Sequence, residues 1–257
     1  MSRFPFGRPA GRRPPRGPAG PAELAVLGVY PSALHVRWAL PGGSATVGAL
    51  AVDDEPTVFW DGADAAERIR SWRDAVGWTE AWGTIGAAGG NGSSGRHVVA
   101  HVLDPLGVAP AATLFTDCLP TYFVKGGAGS QGERIRTVYQ PFAERTGLAP
   151  AQLPPRPTPQ ELVRRAVVEE QSTLLAQLGG SQAPRIVSLG QEAADVLAAI
   201  TGAERSVLST GVEYGRPRAV VLDGSRREWI PLTHPGNRTP AWVARHAVWA
   251  ADQRGCG

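Results

Sequence analysis

Four short segments of the chain carry side chains suited to chemistry. The first is Gly28-Val29-Tyr30-Pro31-Ser32, where glycine and proline shape a loop that can approach a ligand closely. The second, FTDCLP over residues 115–120, ends an apolar run in Asp117. An ionised aspartate only accepts hydrogen bonds, so it suits a partner that presents donors. The third is His234-Pro235-Gly236-Asn237. Proline pushes the residue before it to extended geometry, and that restrains the His234 backbone. The fourth, AVDDEPTVFWDG over residues 51–62, holds Asp53, Asp54 and Glu55 beside Phe59 and Trp60.

Each of these residues also has a purely structural reading. His234 can close a strand end, Asp117 can cap a helix or pair with an arginine, and Phe59 and Trp60 can belong to the core. Trp72, Trp242 and Trp249 lie at helical positions and read as core, whereas Trp38 and Trp60 read as loop residues flanking a pocket. His97, His101 and His246 show no metal-ligand spacing, and Val98 and Val99 point to a strand between the first two. Cys118 and Cys256, the two cysteines, exclude a four-cysteine cluster or a disulfide scaffold and fit a reduced cytoplasm. No metal or cofactor is expected.

The elements that must position these segments follow from hydrophobic patterning. ELAVLGVYP from Glu23, AATLFTD over 111–117, PRIVSLG over 184–190 and EWIPLT over 228–233 are short apolar runs of the kind that form buried parallel strands. Residues 63–76, 159–178, 191–200 and 240–253 have helical periodicity. Strands alternating with helices predict an α/β fold: one three-layer domain around a central, mostly parallel sheet. The segments at the strand ends then share one edge, where sites in such sheets form. The glycine-rich GAAGGNGSSG (86–95) lacks the lysine of a phosphate loop and reads as a flexible surface loop.

The charge is unevenly distributed. The net charge is +3, yet residues 1–22 hold five arginines (Arg3, Arg8, Arg12, Arg13, Arg16) and no acid, which leaves residues 23–257 at −2. With its proline and glycine, the segment 1–22 predicts a mobile basic arm, and 23–257 the folded body. Lys125 is the single lysine among 26 basic side chains. No apolar run is long enough for a membrane span, so no membrane association is expected.

Taken in order, a strand ending in G-x-x-P (Gly28 to Pro31), a middle strand ending in a polar residue (Asp117) and a last strand ending in H-P-G (His234 to Gly236) resemble the uracil-DNA glycosylase superfamily. VSLGQEAADVL (187–197) looks like that superfamily's strand–Gly–helix segment, and the resemblance extends over residues 23–250. It implies hydrolysis of the base–sugar N-glycosidic bond in DNA, as in base-excision repair, on a nucleotide flipped out of the stack. His234 matches the histidine that stabilises the departing base. Gly28, Val29, Tyr30, Pro31 and Ser32 match the loop against the substrate, Phe59 or Trp60 the stacking aromatic, and Asn237 and Arg238 the segment that meets DNA. Val29 and Tyr30 stand where members carry a water-activating acid or amide. That role then falls to Asp53 or Asp54, with His35 and Glu55 as further candidates nearby. Asp117 stands where members read uracil with asparagine. If ionised, it favours an edge with two donors, as in guanine, and implies weak uracil excision. The alternative is a protein of the same fold that binds a base or nucleotide without cleaving it. The expected partner is single- or double-stranded DNA or a nucleotide-like ligand, and the expected state is a monomer in the cytoplasm.

Overall fold

The computed structural model describes every residue except Met1, Ser44, Thr210, Pro235, Arg238, Cys256 and Gly257. The four apolar runs form strands. β1 (Leu24–Gly28) is buried along its whole length. The antiparallel strands β2 (Ala33–Ala39), β3 (Thr46–Asp54) and β4 (Thr84–Ala87) follow it, and then β5 (Thr113–Asp117), β6 (Arg185–Leu189), β7 (Arg218–Leu222) and β8 (Ser225–Leu232). The main sheet has the order β5-β1-β6-β8-β7. Its first four strands are parallel, and β7 closes the edge antiparallel to β8. The expected mostly parallel α/β sheet is therefore present.

Helices cover both faces of this sheet, because successive residues of a buried strand point to opposite sides. The helices among the described residues are α1 (Ala65–Ala75), α2 (Ser93–Val98), α3 (Asp104–Leu106), α4 (Gln131–Arg134), α5 (Gln140–Thr146), α6 (Pro159–Glu169), α7 (Gln171–Gly180), α8 (Gln191–Thr201) and α9 (Pro240–Gly255); α1, α4 and α5 pack instead with β2, β3 or β4. Ala25 and Leu27 of β1 pack with Leu162 of α6, Leu174 of α7 and Leu197 of α8. Leu24 and Val26 face the other way, toward Val98 of α2 and Trp249 of α9. Gly190 joins β6 to α8 at φ +101°, a conformation that L side chains rarely adopt. It turns the chain from sheet to helix within one residue.

The structure departs from the sequence expectations in several places. β2, β3 and β4 make a second sheet in the order β3-β2-β4. Trp38 is not a loop residue beside a pocket: it lies on β2, fully buried, and its Nε1 donates to the Trp82 carbonyl at 2.7 Å. The segment 86–95 contains the end of β4 and the start of α2. Its Asn91 is buried and exchanges hydrogen bonds with the backbone N–H and C=O of His35, at 2.9 and 2.8 Å. His97 and His101 lie on the helical stretch that runs from α2 through a π-turn into α3, not on a strand. The helix expected over 159–178 breaks at Glu170, whose buried carboxylate pairs with Arg12 at 2.8 Å.

The largest correction concerns residues 1–22. Ser2–Pro21 lie against the body instead of forming a free arm. Phe4 and Phe6 are buried, and the Phe6 ring meets Trp38, Trp72, Trp78, Trp82 and Tyr139 at centroid distances of 4.9–5.8 Å. Arg16 exchanges backbone hydrogen bonds with Phe115, which extends the sheet beyond its β5 edge. Two buried aromatic rings supply apolar area that composition counts overlook, and Arg8, Arg12 and Arg13 find carboxylates on the body. Arg8 pairs with Asp53, and Arg13 with Asp54.

Candidate functional site

A cavity of about 680 Å³ opens at the C-terminal ends of β1, β5, β6 and β8. Val29, Tyr30, Pro31 and Ser32 enter it from the loop after β1. Backbone hydrogen bonds from Cys118 to Gly28 and from Leu119 to Val29, each 3.0 Å, continue the β1–β5 pairing and hold that loop. Asp117 arrives at the end of β5, Gly190 and Glu192 follow β6, and His234, Gly236 and Asn237 follow β8. Glu55 and Phe59, just beyond β3, form a further wall.

The structure thus brings together His234, Val29, Tyr30, Pro31, Ser32, Phe59, Asp117 and Asn237. Gly28 lies directly beneath them: a Cβ on it would sit 2.1 Å from Asp117 Oδ1 and 2.8 Å from Phe59 Cζ. Phe59 holds φ +52°, a conformation that costs an aromatic residue about 1–3 kcal/mol. Trp60, the alternative stacking residue, instead sits in the core beside the second sheet and donates to Asp64 at 2.7 Å. Arg238 lies outside the described residues.

Asp53 and Asp54 do not line the cavity. Asp53 accepts from Arg8 Nε at 3.0 Å, and Asp54 accepts from the Gly11 backbone N–H at 2.7 Å and meets Arg13 at 3.2 Å. Their partners lie in the first 13 residues, so both acids are spent on docking the N-terminus. The next residue, Glu55, is the one that faces the cavity. It is 4% exposed and accepts the Ser32 backbone N–H at 2.8 Å. Burial pushes its carboxyl up to about 7, opposed by the Ser32 hydrogen bond and the charges of Arg13 and Arg16. A carboxyl held near neutrality is suited to taking a proton from water.

Asp117 is also buried, and burial followed by the Glu55 charge drives its carboxyl well above the usual range. This disfavours the ionised form of Asp117 on which a preference for an edge with two donors rested. A protonated carboxyl presents one donor and one acceptor, as an amide does. His234 Nδ1 accepts the Gly236 backbone N–H at 3.0 Å, which leaves the imidazole proton on Nε2. Burial, with Lys125 and His97 adding positive charge, lowers His234 to about 4, so the ring is neutral at pH 7. Cys118 is buried and its thiol is pushed up by that burial, so it has no reactive character.

His35, a sequence candidate for the water-activating role, also lines the cavity, whereas Arg156, Lys125 and Arg134 carried no site signal in the sequence. His35 projects from β2, and burial lowers it to about 4. Arg156, within a proline-rich connection, bonds the Tyr30 hydroxyl at 3.1 Å and pairs with Glu192 at 2.5 Å. Lys125 and Arg134 line the same space. Among the described residues, no group of three or more His, Cys, Asp or Glu is arranged to hold a metal ion, and no helix is long and apolar enough to cross a membrane. No protein-family model matches the chain, and no curated protein matches it.

Proposed function

We propose that the protein hydrolyses the N-glycosidic bond between a base and its sugar in DNA. The observation that carries this reading is the convergence of three strand-end segments on one cavity: the loop after β1, Asp117 at the end of β5 and His234 after β8. The cavity is within the size range of small-molecule sites, about 300–1,000 Å³, and admits a flipped-out base.

Each side chain then has a role that its surroundings support. Phe59 supplies a face for the base, and Asp117 meets its polar edge. As the bond to the sugar breaks, the base gains negative charge. The Nε2–H of neutral His234 is a donor for that charge, which is electrostatic stabilisation of a leaving anion. Glu55 takes the proton of the attacking water, the function for which Val29 and Tyr30 have no suitable group. The loop after β1 thus borrows its carboxylate from the far end of β3.

The test is mass-spectrometric detection of free base from single- and double-stranded DNA containing a panel of normal and altered bases. The wild type runs beside His234→Ala and Glu55→Gln. Release that both substitutions suppress supports the proposal and identifies the base. No release by folded wild type from any substrate overturns it, and binding without release would instead indicate a base- or nucleotide-binding protein.

A further inference from the structure

We infer that residues 8–16 are a positioning strap for this site, in which Arg13 and Arg16 hold the Glu55–Phe59 segment against the cavity. The inference rests on Glu55 and Phe59 serving the site as proposed above.

The strap and the segment run side by side. Arg8 meets Asp53 at 3.0 Å, and Gly11 and Arg13 meet Asp54 at 2.7 and 3.2 Å. Arg13 Nη1 donates to the Glu55 carbonyl at 3.3 Å, and Arg16 Nη2 to the Phe59 carbonyl at 3.3 Å. Residues 55–60 contain no helix or strand; a turn in which the Trp60 N–H donates to the Thr57 carbonyl at 3.1 Å shapes them locally, and the strap ties that turn to the body. Phe59 holds its positive φ within that turn, and the Arg16 contact falls on its carbonyl. Both ends of the strap are anchored: Phe6 lies in the aromatic cluster, and Arg16 pairs with Phe115 while its guanidinium lies 4.5 Å from that ring. The strap also backs Asp117, since Arg12 and Arg13 share with it a smaller cavity of about 240 Å³.

The strap brings charge as well as contacts. Arg13 and Arg16 face Glu55 from the strap, Asp54 from β3 and Asp117 from β5. His35, Lys125, Arg134, Arg156, Glu192 and His234 line the same cavity. The two arginines favour the ionised form of Glu55, whereas Asp54 opposes it. A brace with no influence on the site would leave the Glu55 titration unchanged when its charges are removed.

The experiment is a carbon-13 NMR titration of full-length protein labelled at glutamate side-chain carboxyls, with Glu55→Gln to assign the resonance. The expected result is an upward shift of the Glu55 midpoint in Arg13→Gln/Arg16→Gln and a near wild-type midpoint in Arg13→Lys. Should the double variant not fold, Arg16→Gln alone is read in the same way. An unchanged midpoint in a folded variant overturns the strap. The titration needs no substrate, so this result is separate from the base-release assay that decides the glycosidase reading.

Discussion

The backbone N–H of Ser32 donates to Glu55 Oε1 at 2.8 Å. This hydrogen bond joins the loop after β1 to the residue that follows β3, and so joins the parallel sheet to the antiparallel one. It brings a carboxylate to a loop whose own residues, Val29 and Tyr30, cannot supply one.

Glu55 carries a stability signature. Unfolded, its carboxyl ionises near 4.5; folded, it does so at about 7. Between these values the unfolded chain releases a proton that the fold retains, so this contribution is full below about 4.5 and is lost as pH rises through 7. Glu55→Gln keeps an acceptor for Ser32 without the charge. It should be more stable than wild type at about pH 8, by on the order of 1–3 kcal/mol, and no more stable near pH 4. Urea denaturation at the two pH values checks this.

The buried histidines act in the opposite direction. His35 and His234 titrate near 6.5 when unfolded and at about 4 in the fold. Below 6.5 the unfolded chain takes up protons first, so their contribution is lost as pH falls from 6.5 to 4. In His35→Gln this acid-side loss should be smaller than in wild type, visible as a melting temperature that falls less steeply over that interval.

Base release should increase with pH through about 7 as Glu55 ionises, with no step assignable to His234 above pH 5. His234→Ala should lower the rate about 10²–10³-fold, the usual effect of removing one donor to a developing anion. Single-turnover kinetics across this range measure both effects.

Because burial raises the Asp117 carboxyl, Asp117→Asn should change base preference less at acid pH, where a protonated carboxyl and an amide each present one donor and one acceptor, than at alkaline pH. Asp117→Leu, which presents neither, should abolish selective binding. Equilibrium binding of free bases or short oligonucleotides distinguishes the two variants.

Gly28→Ala should disturb the site more than the fold. Its Cβ would fall 2.1 Å from Asp117 Oδ1 and 2.8 Å from Phe59 Cζ, so both side chains must move. Overpacking of this kind costs about 1–3 kcal/mol. Ligand affinity should fall while circular dichroism shows a folded protein.

Much of this organisation is written in local pattern. The runs that became β1, β5, β6 and β8 are apolar and end in glycine, aspartate or histidine, so both the sheet and the strand ends that form its site edge are legible. Gly190 marks the turn into α8, and the spacing of Leu162, Ala166, Leu174 and Leu178 marks the helical layer. Periodicity is a property of neighbours along the chain, and for that reason it survives without a structure.

Which of Asp53, Asp54 and Glu55 faces the cavity is another kind of question. The three acids are adjacent and chemically alike, and they separate only when the N-terminal arm neutralises two of them and leaves the third beside Ser32. Composition suggested a free arm because its prolines and glycines outnumber its apolar residues, yet Phe4 and Phe6 find an aromatic pocket built from residues far along the chain. The upward shift of the Asp117 carboxyl has the same origin: burial beside another carboxyl, a condition set by packing between strands and invisible in the residue itself. Desolvation and long-range charge pairing depend on what lies across space, so tertiary structure alone decided which side chains line the cavity and in which direction their titration shifts.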